Sequence, residues 1–234
     1  DDQMKGENAK ANMTGFDFAW IWKTVENSYP VTVANPVNVW DGTKDYNLEG
    51  TGSTTDPYLV KTAAQLAAIV TGNNSEAFTG KYFKLANDIR INDTSSANWK
   101  AFALDWVWAD FRFVGTFDGN GHTIDGLYYK GSQRVMGLFS YVGADNNGTY
   151  KTTIKNLNMT NAYIESTAAD GAGFVAGQAS RVAYFDGIYI DDTCEINSTV
   201  KGAGGILGQS GYNVFMSNIA MNGKVAGGSN VGAF

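Results

Sequence analysis

The sequence predicts an all-β protein built as a parallel β-helix, a solenoid, with one short capping helix near its N-terminal end. Three observations predict it. A hydrophobic phrase recurs as Ile124-Asp-Gly-Leu127-Tyr-Tyr129, Ile154-Lys-Asn-Leu157-Asn-Met159, Phe185-Asp-Gly-Ile188-Tyr-Ile190 and Met216-Ser-Asn-Ile219-Ala-Met221, starting 30, 31 and 31 residues apart. Positions four and six of the phrase are apolar around a variable fifth, the period-2 mark of a half-buried strand. The three prolines, Pro30, Pro36 and Pro57, all precede the repeats, as a sheet that uses nearly every backbone N–H requires. A period of this length means stacked supersecondary units. Propeller blades need about four strands and more than about 40 residues, so coils of a β-helix fit better. Like residues should then stack on like at about 4.8 Å, in the columns 124/154/185/216 and 127/157/188/219.

The elements follow in chain order. Residues 1–39 read as the tail of a preceding module or a linker, with Phe16, Phe18, Trp20 and Trp22 spaced to cap an apolar end. Residues 40–234 form the β-helical module. Thr62, with Gln65 three residues on, makes a capping box for a helix over Ala63–Val70, whose apolar face is Leu66, Ile69 and Val70. This helix is placed to cover the start of the stack. Tyr82–Leu85 and Ile89–Ile91 read as strands, and an aromatic stretch from Trp99 to Phe113 leads into the regular coils. In each copy of the phrase position three is Gly or Asn, the residues that most readily take positive φ. A bend there lets positions one and four face the same interior. A second strand per coil starts at Gly137, Gly173, Gly205 and Gly232, at intervals of 36, 32 and 27 residues, so the loops vary while the strands persist.

Several of these stretches resemble a known family. Gly50-Thr-Gly-Ser-Thr-Thr-Asp-Pro-Tyr-Leu-Val-Lys-Thr62, Gly80-Lys-Tyr-Phe-Lys-Leu-Ala-Asn-Asp-Ile89 and Gly115-Thr-Phe-Asp-Gly-Asn-Gly-His-Thr-Ile124 resemble the opening of bacterial GLUG-motif proteins. Gly137-Leu-Phe and its later echoes resemble the repeats themselves. The resemblance covers about residues 40–234, and Phe117–Ile124 is its most specific part. It implies a right-handed parallel β-helix in a large secreted or surface-anchored bacterial protein with an adhesin-like role, and brings no catalytic signature. The segment from Met4 to Phe18, with Trp20-Ile-Trp22 and Tyr29-Pro30, resembles the phrase that closes such a module. The expectation is a chain that starts at the tail of one module, stops inside a coil of the next at Phe234, and belongs to a longer protein with further modules.

Composition narrows the partners. Net charge is −6 with only 17 % charged residues, and no basic cluster is present, which argues against nucleic acid and an anionic membrane surface. No apolar run reaches membrane-spanning length. The single cysteine, Cys194, leaves stability to stacking and burial. No cofactor or metal site is expected. His122 lies in Asp118-Gly-Asn-Gly-His122, dense turn chemistry without a second His or a Cys for zinc. Asp145-Asn-Asn-Gly148 lacks the closing Glu of a calcium loop. Asp186, Asp191 and Asp192, with Glu195, are the densest acidic group, yet the repeats place no matching carboxylates above or below them. A catalytic pair on adjacent strands would need such a match.

The aromatics suit a binding surface better. Six tryptophans and 12 tyrosines accompany a surface low in charge, and aromatic faces suit sugars and protein partners. Tyr128 and Tyr189 share the outward fifth position two coils apart, about 10 Å, the reach of two neighbouring sugar units. Trp106 and Trp108 alternate in the loop-rich stretch. The expectation is a non-enzymatic, extracellular or bacterial cell-surface module for adhesion or for binding host or environmental glycans or glycoproteins. A polysaccharide lyase or hydrolase and a purely structural spacer are the alternatives.

Overall fold

The computed structural model describes residues 2–16, 18, 21–32, 39–70, 75–94, 99–102, 112–144, 146–167, 170–199, 202–228 and 231–232. It divides into two compact units, 1–38 and 39–234. The first holds a short helix α1 (Asn8–Asn12) and an antiparallel hairpin, β1 (Trp22–Val25) with β2 (Ser28–Thr32). Phe16 and Trp22 pack with ring centroids 4.7 Å apart, and Phe18 lies 6.3 Å from Phe16. Trp20 lies outside the described residues.

The second unit is a parallel β-helix. It opens with β3 (Tyr58–Val60), α2 (Ala63–Val70), α3 (Ser75–Phe78), β4 (Lys81–Leu85) and β5 (Ile89–Arg90). The first regular coil runs through β6 (Gly115–Asp118), β7 (Thr123–Asp125), β8 (Tyr128–Gly131), β9 (Val135–Met136) and β10 (Phe139–Val142). The second runs through β11 (Thr152–Thr160), β12 (Tyr163–Ser166), β13 (Gly171–Ala172) and β14 (Ala176–Ala179). The third is β15 (Ala183–Ile190), β16 (Glu195–Ser198), β17 (Ala203–Gly204) and β18 (Leu207–Ser210). The last comprises β19 (Val214–Met221), β20 (Lys224–Gly227) and β21 (Val231–Gly232). Equivalent strands pair in parallel into four stacks: β3-β4-β6-β11-β15-β19 with β5 and β7 at its side, then β8-β12-β16-β20, β9-β13-β17-β21 and β10-β14-β18.

The helix α2 begins as its residues predict. Thr62 Oγ1 accepts the Gln65 N–H at 3.2 Å, while Gln65 Oε1 reaches back to the Lys61 N–H at 2.8 Å, one residue earlier than a regular capping box. Gln65 Nε2 also donates to the Asn47 carbonyl at 2.7 Å, which settles a polar side chain among buried neighbours. Leu66, Ile69 and Val70 join the same core as the coils.

That core is a set of apolar columns. Ile154, Phe185 and Met216 stack in register, as do Leu157, Ile188 and Ile219, and Met159, Ile190 and Met221. The bend at position three is real: Asn156, Gly187 and Asn218 have φ of 52°, 64° and 53°. In β11 the alternation of buried and half-buried residues slips at Asn156, so Ile154 and Leu157 both point inward three residues apart.

The first copy of the phrase does not stack as expected. Ile154 pairs with Phe117, not Ile124, and Met159 pairs with Ile124. The turn Asp118–His122 inserts two residues that the later coils lack. His122 N–H closes it on the Gly119 carbonyl at 2.8 Å, and Asp118 Oδ1 accepts the Asn120 N–H at 2.8 Å. Gly126, with φ of 74°, belongs instead to the corner that Asn161 turns in the next coil at φ 49°. In the glycine series, Gly204 rather than Gly205 is the counterpart of Gly232.

Candidate functional site

A concavity of the β-helical unit lies along the corner between the first two strand stacks. It is a groove of about 340 Å³ lined by Trp99, Tyr128, Asn161, Ala162, Tyr163, Thr193 and Glu195. Its geometry follows from strand alternation. In β8, β12, β16 and β20 one column is Tyr129, Ile164, Ile196 and Val225. The first three of these are buried and Val225 packs against the core. The neighbouring column, Tyr128, Tyr163, Glu195 and Lys224, therefore faces out.

Tyr128 and Tyr163 stack with centroids 5.9 Å apart and planes 16° from parallel. Trp99 meets Tyr128 at 5.6 Å with planes 80° apart. Trp99 comes from the segment before the first coil, and that segment is pinned. The buried Asn92 accepts the Lys100 N–H at 2.7 Å and donates to the Lys100 carbonyl at 2.9 Å and to the Gly126 carbonyl at 2.8 Å. Phe102 N–H donates to the Tyr128 carbonyl at 3.1 Å. Asn92 thus ties the backbone beside Trp99 to the corner of the coil that carries Tyr128.

The polar rim is equally ordered. Tyr163 Oη donates to Glu165 Oε2 at 2.9 Å, and Lys130 Nζ meets the same oxygen at 3.0 Å. The Lys130 bond, then the Tyr163 bond, holds the Glu165 carboxyl below the usual range. Asn197 Nδ2 donates to Glu195 Oε1 at 2.6 Å. At the corner, Asn161 N–H donates to Thr193 Oγ1 at 2.7 Å, and Asn161 Nδ2 donates to Asp125 Oδ1 at 2.7 Å. Asp125 lies inside, with its side chain 1 % exposed and its Oδ2 3.7 Å from Arg90 Nε. The groove offers aromatic surface, a carboxylate, a hydroxyl and an amide on a rigid frame.

The residues singled out from sequence scatter. Tyr128 lines the groove. Tyr189 sits on the first stack beside Asn158 and Ala220, 42 % exposed, and Tyr128 is not in its column. The expected pair two coils apart is therefore replaced by Tyr128 with Tyr163 in adjacent coils. Trp106 and Trp108 lie outside the described residues. Tyr163 and Trp99 are missed by a reading anchored on the first strand of each coil.

The other candidates have structural partners. Asp186 Oδ1 accepts Ser217 Oγ at 2.8 Å and Asn218 Nδ2 at 2.7 Å, tying two coils together. Its true column is Asp118, Lys155, Asp186 and Ser217, with Lys155 Nζ 3.2 Å from Asp118 Oδ2, so a carboxylate does stand two coils from Asp186 and a lysine separates them. Asp191 Oδ1 accepts the Thr193 N–H at 2.9 Å and the Thr193 hydroxyl, an Asx turn. His122 Nδ1 lies 3.2 Å from Asp88 Oδ1, which also accepts the Thr123 N–H. Asp145 lies outside the described residues. Among the described residues no group of three or more His, Cys, Asp or Glu is disposed to hold a metal ion, and no helix is long and apolar enough to cross a membrane.

No family model matches the chain. It is similar to halomucin of Haloquadratum walsbyi, at 37 % identity over 131 residues, 55 % of this chain and 1 % of that protein. It is also similar to a protein of Evansella cellulosilytica named as a Gly-rich membrane protein, at 29 % identity over 134 residues, 55 % of this chain and 13 % of that protein. The chain thus spans a small part of either relative. Among solved structures it resembles a protein of Bacteroides ovatus named as an immunoglobulin A1 protease. That likeness has a TM-score of 0.42 and 20 % identity, covering 79 % of this chain and 72 % of the other.

Proposed function

We propose that this chain is a non-enzymatic β-helical segment of a secreted or cell-surface protein that binds glycans along the Trp99–Tyr128–Tyr163 groove. The groove is the observation that carries the reading. Aromatic rings cover the apolar faces of sugars, and carboxylate, amide and hydroxyl groups beside them satisfy sugar hydroxyls. Its lining comes from successive coils about 4.8 Å apart, so a polymer lying along the axis meets one coil per short step. The resemblance to GLUG-motif proteins and the mucin and membrane names of the two relatives support a surface setting. The binding is passive, and its specificity lies in loops and outward columns mounted on a stiff stack.

The test is a broad glycan array that includes mucin glycoproteins, probed with the wild-type chain and three variants. Saturable binding should fall about 10-fold or more for Trp99→Ala and Tyr163→Ala, the scale of one aromatic contact. Tyr189→Ala, on a different stack, should bind as wild type. No binding anywhere on the array overturns the glycan reading in favour of a spacer. Binding lost in Tyr189→Ala but kept in Tyr163→Ala moves the site to the first stack.

A further inference from the structure

Resting on the glycan reading, we propose that the groove selects amino sugars, glycans that carry a protonated amine, over N-acetylated and acidic ones. Four features of the groove point this way. Among the described residues, Glu195 is the one charged side chain in its lining. The bond from Asn197 Nδ2 to Glu195 Oε1 fixes that carboxylate in place, and Glu195 makes no ion pair among the described residues. Trp99 and Tyr128 pack edge to face with planes 80° apart beside the Tyr128–Tyr163 stack, and the negative face of an aromatic ring attracts a cation more than a neutral group. The nearest lysine on the first-coil side, Lys130, is engaged by Glu165 at 3.0 Å and is not part of the lining.

One cation faces the site from the other direction. Lys224 follows Glu195 in the outward column and competes for its carboxylate. It stands beyond Glu195, on the side away from Tyr163, whereas the aromatic corner lies on the near side. A ligand amine between the rings and Glu195 is therefore attracted by both, and a ligand carboxylate in the same place meets Glu195 with no lining cation among the described residues to offset it. The net charge of −6 adds long-range attraction for cationic glycans.

Isothermal titration calorimetry with short β-1,4-linked glucosamine oligomers, their N-acetylated counterparts and oligogalacturonate tests this at a pH that keeps the amine protonated. The glucosamine oligomer should bind about 10-fold tighter than the N-acetylated one and weaken with added salt. Oligogalacturonate should bind weakest. Glu195→Gln keeps shape and an acceptor for Asn197, so it should fold normally by circular dichroism and erase the amine preference, leaving the glucosamine and N-acetylated oligomers bound equally. Equal affinity for amine and N-acetyl forms, or a preference that survives Glu195→Gln, overturns the proposal while leaving the glycan reading standing. A preference that survives Trp99→Ala reduces it to general attraction by an acidic protein and overturns it as well. Failure of every oligomer to bind wild type overturns this proposal, and the broad glycan array alone decides the glycan reading beneath it.

Discussion

At the scale of single residues, Asp118 and Cys194 show how position in a coil sets chemistry. Cys194 is buried at the corner between β15 and β16, with Sγ 3.5 Å from the Met159 carbonyl, and burial pushes its thiol up to about 12. Almost no thiolate exists at neutral pH, so iodoacetamide should label Cys194 only as fast as the coils open. Rapid labelling in native buffer would contradict the packing described here. Asp118 behaves oppositely. Burial is the largest influence on it and raises its pKa, but bonds from Asn156 Nδ2 and the Asn120 N–H, with Lys155 beside it, outweigh burial and leave the carboxyl below its ordinary value. A depressed carboxylate stabilises the fold above its unfolded pKa, and that contribution is lost as pH falls through the folded value. Asp118→Asn should therefore be less stable than wild type in urea at neutral pH, with the gap closing below about pH 4. A gap that stays constant into acid would show that the charge of Asp118 contributes nothing.

At the scale of elements, the left-handed residue in the long strand of each coil is the device that turns a strand without breaking its pairing. Asn156, Gly187 and Asn218 share it. Asn156→Ala and Asn156→Gly both remove the bond to Asp118, so their difference reports the backbone alone. Ala should be the less stable of the two by about 1–2 kcal/mol in urea unfolding; equal stabilities would mean the strand relaxes away from that conformation. This residue also explains what could be read from sequence. Its Gly/Asn preference, flanked by inward apolar residues, made the columns of β11, β15 and β19 legible. The first coil was not legible, because Gly126 satisfies the same preference at a different corner and the Asp118–His122 turn shifts the register by two residues. The groove was hidden for a related reason. Its outward column reads Tyr128, Tyr163, Glu195, Lys224, with no repeat to find, whereas the inward column Tyr129, Ile164, Ile196, Val225 stays apolar. Trp99 is brought in by the long-range Asn92 clamp, which leaves no local pattern at all.

At the scale of the whole β-helical unit, each coil touches only the coils before and after it, so energetic coupling should decay along the axis. Leu157 tests this well. It is fully buried, stacks on Ile188 in the next coil, and its backbone packs against Gly119 in the previous one, where an added Cβ would come within 2.7 Å of the Leu157 Cα. Leu157→Ala leaves a cavity in a column that neighbouring strands hold rigidly apart, so it should cost about 2–5 kcal/mol. Hydrogen exchange resolved by segment then distinguishes two pictures of the stack. With nearest-neighbour coupling, protection falls in β11 and in the strands directly beside it, β6, β7 and β15, while β3 and α2, farther along the axis, keep their wild-type protection. If the unit instead unfolds as one cooperative body, protection falls by the same factor everywhere, α2 included. The continuity of the core, which runs from α2 through every coil, makes that alternative concrete. The local pattern is nevertheless expected, because the parallel strand ladders and the apolar columns both connect a coil to its two neighbours and to nothing beyond them.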